Sequence, residues 1–265
     1  MLYKKSYVYT AKPVDANGYA YYTPEEDSVW QSLITRQTPI VANRGCDEYL
    51  HGLKLLNLPT DRLPQCPEIS AVLKEATGWE LEPVPALISY DHFFNLLAQR
   101  KFPAATFIRT REEIDYLQEP DIFHEVFGHC PLLTNQAYAD FTHTYGKLGM
   151  KACESDRVML ARLFWFTVEF GLIQTEKGLR TYGGGILSSK NETIYCLESP
   201  IPKRLPFDPL EALRTPYRID IMQPIYYVID SFDTLFQLAD MDLIGLIRQA
   251  EKLGMHAPLF PLEKE

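Results

Sequence analysis

The 265-residue chain contains no apolar run close to the ~20 residues that span a bilayer. Its opening, MLYKKSYVYTAKPVD, follows two lysines with polar residues where a secretory leader would be apolar. A cytoplasmic protein is therefore expected. Cysteine is sparse and unpatterned: Cys46, Cys66, Cys130, Cys153 and Cys196 are odd in number and include no CxxC pair. That argues against a disulfide framework or a thiolate zinc site and for reduced thiols that mostly pack. Basic charge is also in deficit, 26 Lys and Arg against 35 Asp and Glu, with no clustered basic stripe. Binding to a phosphate backbone lacks its electrostatic footprint, so nucleic acid is not an expected partner. Repeats, low-complexity tracts and Gly/Ser linkers are missing, and the 19 prolines fall as punctuation between short periodic segments. What is present is apolar mass, 46% of residues, enough to exclude disorder and to build one large core.

Apolar residues at three- and four-residue spacing predict helices over 24–37, 46–58, 67–78 and 92–102, then 134–149, 156–173 and 231–254. Strand signals are few: ATFI (105–108), and GGILSS and ETIYCLE, with SSKNE between them reading as a hairpin turn. The expected class is mainly α with a small β-hairpin element. The segment 156–173 is apolar on nearly every face, from Val158, Met159 and Leu160 to Phe164, Trp165, Phe166 and Phe170, and so reads as a buried central helix. Arg162 and Glu169 interrupt it seven residues apart. A carboxylate buried there must be paired, protonated or bound to a metal.

The segment EPDIFHEVFGHCPLL sets His124 and His129 five residues apart, with Pro120 and Asp121 at a helix start and Gly128 and Pro131 as an ending. On an undistorted helix five residues turn about 500°, so the two imidazoles diverge by roughly 140° and converge only if the helix ends between them. The zinc-protease pattern HExxH needs a four-residue step; Glu125 is present, but the second histidine is one position late. Two histidines and one acid, Glu169, would form a 2-His-1-carboxylate triad, which leaves coordination positions open and suits non-haem Fe(II) oxygen chemistry. Equally, the histidines are hydrogen-bonded packing residues in an aromatic core and Arg162 neutralises Glu169. Spacing alone leaves both open.

PDIFHEVFGHCPLL, FWFTVEFGL, YGGGILSS and QPIYYVIDSF, in this order, resemble the aromatic amino acid hydroxylases, and their bacterial members most of all. The resemblance covers roughly 20–240, nearly the whole catalytic domain of that family. It implies a phenylalanine 4-monooxygenase that uses Fe(II), O2 and tetrahydrobiopterin to convert L-phenylalanine to L-tyrosine by way of a ferryl oxidant, with His124, His129 and Glu169 as catalytic iron ligands. The pterin is a stoichiometric reductant, because ring hydroxylation accounts for only two of the four electrons that O2 takes up. Residue by residue, Arg109 matches the arginine that grips the substrate carboxylate, a task suited to a planar guanidinium. Pro120, Trp165, Ser188 and Ile219 match substrate-pocket positions. Phe93 matches the aromatic stacked on the pterin, Glu125 a carboxylate facing it through water, and Ile88 and Ala161 further pterin contacts.

Three positions depart from the pattern of animal members: Leu117 replaces a threonine, Tyr90 a serine and Gly184 an alanine. The resemblance further implies a single catalytic domain over 1–265, with neither regulatory nor tetramerisation domain, acting as a monomer or weak homodimer. Sibling activities on tyrosine or tryptophan use the same iron and pterin. Against them stand Trp165, which fits the phenylalanine and tyrosine branches, and Ile219, apolar where tyrosine-selective members carry aspartate. The 2-oxoglutarate oxygenases, built on a β-barrel with an HxD pair, and a non-enzymatic helical module are the remaining alternatives.

Overall fold

In the computed structural model, which describes residues 9–85, 87–115, 117 and 119–261, side-chain caps and prolines set where the helices begin. Helix α1 (Pro24–Val41) opens with a reciprocal box: the Glu26 N–H donates to Thr23 Oγ1 and the Thr23 N–H to the Glu26 carboxylate. Helix α2 (Asp47–Leu56) ends on Asn57 in the left-handed region, and α3 (Cys66–Thr77) ends on Gly78 at φ 78°. Next come β1 (Glu80–Val84), α4 (Tyr90–Ala98) and β2 (Lys101–Ala105); β1 and β2 pair in parallel, Glu80 opposite Lys101. Helix α4 is the crossover that a parallel pair requires.

After a loop, Asp121 caps a helix whose middle widens into a π-helical segment, His124–His129, before continuing as α5 (Cys130–Leu133). Then follow α6 (Gln136–Lys151), α7 (Glu154–Phe164) and a second π-helical segment, Trp165–Glu169. Strands β3 (Leu172–Thr175) and β4 (Gly178–Thr181) form an antiparallel hairpin, followed by α8 (Gly184–Leu187) and α9 (Lys190–Glu198). The chain closes with β5 (Lys203–Pro206), α10 (Pro209–Arg214), β6 (Ile225–Ile229), α11 (Phe232–Asp240) and α12 (Leu243–Leu253). The second sheet runs β4-β3-β6-β5. No helix among the described residues is long and apolar enough to cross a membrane. Cys46, Cys66, Cys130 and Cys196 are buried free thiols, and Cys153 is exposed.

The class is mainly α as expected, but the hairpin lies elsewhere. GGILSS and ETIYCLE are helical, because Ser189 caps α9 by accepting from the Glu192 N–H; that Ser-x-x-Glu start outweighs the β-favouring Thr193, Ile194 and Tyr195. Of ATFI only Ala105 lies in a strand, the last residue of β2. The periodic segment 92–102 stops at Ala98, with Arg100 at φ 58° turning the chain into β2. The segment 156–173 divides into α7, the π segment and β3, and Val158 is exposed. The segment 231–254 is two helices, since Asp242 restarts the chain by capping Gly245. The reading of Met1–Val8 as no leader lies outside the described residues.

An aromatic stack holds the first π segment from behind. Trp30 meets Phe123 edge-on at 5.5 Å, Phe123 stacks on Phe127 at 4.9 Å, and the Tyr49 hydroxyl donates to the Phe127 carbonyl at 2.9 Å. These four rings are buried, and such pairs add directional preference to their apolar burial.

Candidate metal centre and surrounding pocket

The helix bearing His124 and His129 does not end between them. It expands: the Cys130 N–H donates to the Glu125 carbonyl five residues back, and in this wider turn residues five apart share a face. The expected divergence of 140° is thereby removed without a break. The second π segment repeats the device, its Phe170 N–H donating to the Trp165 carbonyl at 2.9 Å, and it delivers Glu169.

The three side chains converge. His124 Nε2 and His129 Nε2 lie 3.1 Å apart, His129 Nε2 is 3.3 Å from Glu169 Oε1, and His124 Nε2 is 3.6 Å from Glu169 Oε2. All three potential ligand atoms fall within 4.8 Å of one another. Ser188 fixes one tautomer. Its only proton is donated to the Gly184 carbonyl at 2.9 Å, so the 2.9 Å contact with His124 Nδ1 requires the proton on the ring nitrogen, leaving Nε2 with its lone pair inward. His129 is buried against Phe102, ring centroids 5.0 Å apart, and Gly184 backs onto its other side: a Cβ there would sit 2.4 Å from the ring. Two converging imidazole nitrogens beside a carboxylate are a donor set for a cation. His124 and Glu169 keep 19% and 18% of their side-chain surface exposed against 1% for His129, so the centre is open on one side.

Electrostatics agree with that donor set. Burial pulls the His124 imidazole down to about 4, with Glu169 opposing, so the ring is neutral at pH 7. Glu169 is held well below its usual range: the paired histidines outweigh the burial that would raise it. Glu125, by contrast, is buried, and burial followed by the charges of Glu169 and Asp121 pushes its carboxyl up; a solvated helix charge does not describe it. Arg162 does not neutralise Glu169. Its Nη1 donates to the Leu213 carbonyl at 2.8 Å and meets the sulfurs of Met159 and Met255.

Arg109 is buried. Its Nε–H and Nη2–H donate to Asp121 Oδ2 and Oδ1 at 2.8 and 2.9 Å. Asp121 also accepts from the Arg109 and His124 backbone N–H groups, each at 3.0 Å, so one carboxylate ties the arginine to the start of the first ligand helix. The two-bond edge of the guanidinium is thus occupied by Asp121, and Nη1 lies outside that pair. Asp121 is legible in the sequence only as a helix start; its pairing depends on how the intervening loop returns.

Of the remaining expected residues, Phe93 packs edge-on against Phe164 at 5.1 Å, and Ala161 lies half-buried on α7. Ile88 is half-buried ahead of α4, and Pro120 is half-buried just before Asp121. Trp165 lies between Phe170 and Tyr217, with ring centroids at 4.3 and 4.6 Å. Ile219 is 43% exposed, on the loop between α10 and β6; an aspartate there would be hydrated, which removes the buried-carboxylate cost that its apolar identity suggests. Leu117 joins Phe107 and Tyr9 in a small apolar cluster, and Tyr90 packs on the main core. Sequence reasoning also misses Gln223 and Glu192, both buried, which meet beside Trp165.

Comparison with known proteins agrees with this geometry. The family model described as "Biopterin-dependent aromatic amino acid hydroxylase" matches residues 7–241. The phenylalanine-4-hydroxylase of Pseudomonas aeruginosa is 58% identical over 97% of this chain and 98% of its own length. The apo structure of the cold-active phenylalanine hydroxylase from Colwellia psychrerythraea superposes with a TM-score of 0.92 at 56% identity, covering 94% of this chain and 97% of that one. The Chromobacterium violaceum phenylalanine hydroxylase, solved with bound oxidised Fe(III), superposes with a TM-score of 0.87 at 45% identity, covering 92% of this chain and 91% of that one.

Proposed function

The chain belongs to the biopterin-dependent aromatic amino acid hydroxylases, and from that premise we propose how its own residues serve the reaction. The activity is that of a phenylalanine 4-monooxygenase, in which L-phenylalanine, O2 and a tetrahydropterin react at non-haem Fe(II) to give L-tyrosine. The sibling activities on tyrosine and tryptophan are disfavoured, because relatives at 46–58% identity carry the phenylalanine hydroxylase name.

The observation that carries the assignment of residues is the convergence of His124, His129 and Glu169, two imidazoles and one ionised carboxylate, with one side open. These three would hold the iron facially, leaving room for further ligands. When bound, ferrous iron together with the reduced pterin supplies the electrons and the centre at which O2 is activated. The rest is positioning. Ser188 holds His124 in the metal-binding tautomer, and Arg109, steadied by Asp121, orients the substrate carboxylate. Trp165, Pro120 and Ile219 border the amino-acid side of the pocket, while Phe93, Ile88, Ala161 and Glu125 border the pterin side. Buried Phe102, Phe123 and Phe127 close the back of the first ligand helix and exclude water from it. A cytoplasmic site of action and a monomer or weak homodimer belong to the same proposal, the latter open to analytical ultracentrifugation.

Anaerobic Fe(II) loading followed by turnover with phenylalanine, tyrosine and tryptophan offered separately tests the reading. Alanine at His124, His129 or Glu169 is expected to remove most iron and nearly all tyrosine formation while leaving a folded protein. An iron-replete alanine variant with full activity would remove that residue from the ligand set.

A further inference from the structure

We propose that Gln223 is a positioning residue for the substrate pocket: it fixes the Trp165 indole and ties it to the loop carrying Tyr217 and Ile219. The proposal rests on the reading of Trp165 as a pocket wall. Four hydrogen bonds converge on Gln223, which is 1% exposed. Its side-chain NH2 donates to the Arg218 and Ile221 carbonyls at 2.8 and 3.0 Å. Both donors are then committed, and Oε1 is left to accept the Trp165 Nε1–H at 3.2 Å. An indole nitrogen only donates, so the flipped amide would set donor against donor and acceptor against two carbonyls; chemistry fixes the orientation.

The backbone anchors the same residue to a second element. The Gln223 N–H donates to Glu192 Oε1 at 3.0 Å, and the Tyr226 hydroxyl donates to the same oxygen. Glu192 lies on α9 and is buried. The indole is sandwiched between Phe170 and Tyr217, the latter 24° from parallel, which restrains tilting. Sliding in its own plane is what remains, and the bond to Gln223 blocks it. Trp165 opens the π segment that Glu169 closes, so a shift of the indole changes the pocket wall while the ligand end of the segment stays in place.

Gln223→Met preserves length and volume but neither donates nor accepts as an amide. It is expected to raise KM for phenylalanine roughly fivefold, the factor that one neutral hydrogen bond carries. Its kcat should stay within about twofold, the pterin KM should hold, and less tyrosine should form per pterin oxidised. A spectroscopic readout needs no turnover. Trp30 and Trp79 are 0% exposed and Trp165 is half-buried, so acrylamide-quenchable fluorescence belongs to Trp165 and should increase in the variant. Trp165→Phe, which lacks the N–H, should raise KM by itself, and adding Gln223→Met to it should change KM no further. If Gln223→Met does not fold, Gln223→Asn keeps the amide but shortens its reach to the indole, and the same increases are expected. Unchanged KM and quenching in a folded Gln223 variant, or additive effects in the double variant, would overturn the proposal. A folded, iron-binding Trp165→Phe variant with unchanged KM would instead overturn the placement of Trp165 in the pocket.

Discussion

Replacing Gly128 with alanine tests how closely the ligand helix and α8 are clamped together. A Cβ at this position falls 2.6 Å from the Gly184 carbonyl oxygen, 3.2 Å from its carbon and 3.3 Å from Ser188 Cβ. Two of these atoms are backbone, and Gly184 and Ser188 are buried, so no side chain swings aside. Restoring a comfortable separation of ~3.5 Å moves the segments apart by most of an ångström. Overpacking of this kind costs about 1–3 kcal/mol, and in a domain of this size each kcal/mol lowers Tm by about 2–4 °C. The same movement stretches the 2.9 Å His124–Ser188 bond out of range, and losing a hydrogen bond that orients a ligand weakens metal affinity by about 10–100-fold. A tenfold weaker Kd removes ~1.4 kcal/mol from the stabilisation by saturating iron. Thermal melts with and without Fe(II), together with anaerobic calorimetric titration of iron, measure both effects. Gly146→Ala is the control: its Cβ would strike the α4 backbone, 2.4 Å from the Ala98 nitrogen, away from the ligands. Both variants should melt early, but only Gly128→Ala should lose part of the iron-induced rise in Tm. Equal iron-induced rises would refute the clamp and leave only a packing defect.

Arg109→Lys keeps the charge but abandons the planar fork on Asp121, and should raise KM for phenylalanine at least ~10-fold, well beyond any change in pterin KM; equal KM values would place Arg109 outside the site. For the metal-free protein, the neutral His124 sets an acid limit. Its folded pKa, about 4, lies below the ordinary 6.5, so the unfolded chain takes up the proton first, and stability present above pH 6.5 is lost as pH falls toward 4. Melts across that window should show the loss, and His124→Gln should flatten it; an identical slope in the variant would reject His124 as the source. Ile219→Asp should leave Tm nearly unchanged, because the position is exposed, while raising the tyrosine-to-phenylalanine ratio of kcat/KM. A ratio that does not move removes Ile219 from the specificity positions.

The ligand types were legible because two histidines and a carboxylate in apolar surroundings have few uses, but the geometry that joins them was not. A π turn arises from the hydrogen-bond register, and nothing in HEVFGH or WFTVE distinguishes it from an α-helix; helix termination at Gly128 is the natural inference and the wrong one. The Arg109–Asp121 pair and the Gln223–Trp165 bond share this opacity, since each depends on loop paths between elements. Segment 190–198 shows competition between signals: Thr193, Ile194 and Tyr195 favour a strand, while one serine hydroxyl at position 189 starts a helix. Burial is likewise invisible in the sequence: a charge-counting eye places Arg109 and Glu125 in water, and both are buried.

The two widened turns also bear on how such a centre can change over generations. One residue added to or taken from an α-helix swings everything beyond it by about 100°, whereas a π turn absorbs the odd residue locally. Each ligand segment therefore accommodates one residue more than an α-helical path would: with one residue fewer between His124 and His129, or between Trp165 and Glu169, different side chains would face the centre. Ligand placement in this protein is consequently stepwise. It changes by whole residues, whereas a pocket side chain changes by substitution at a fixed position.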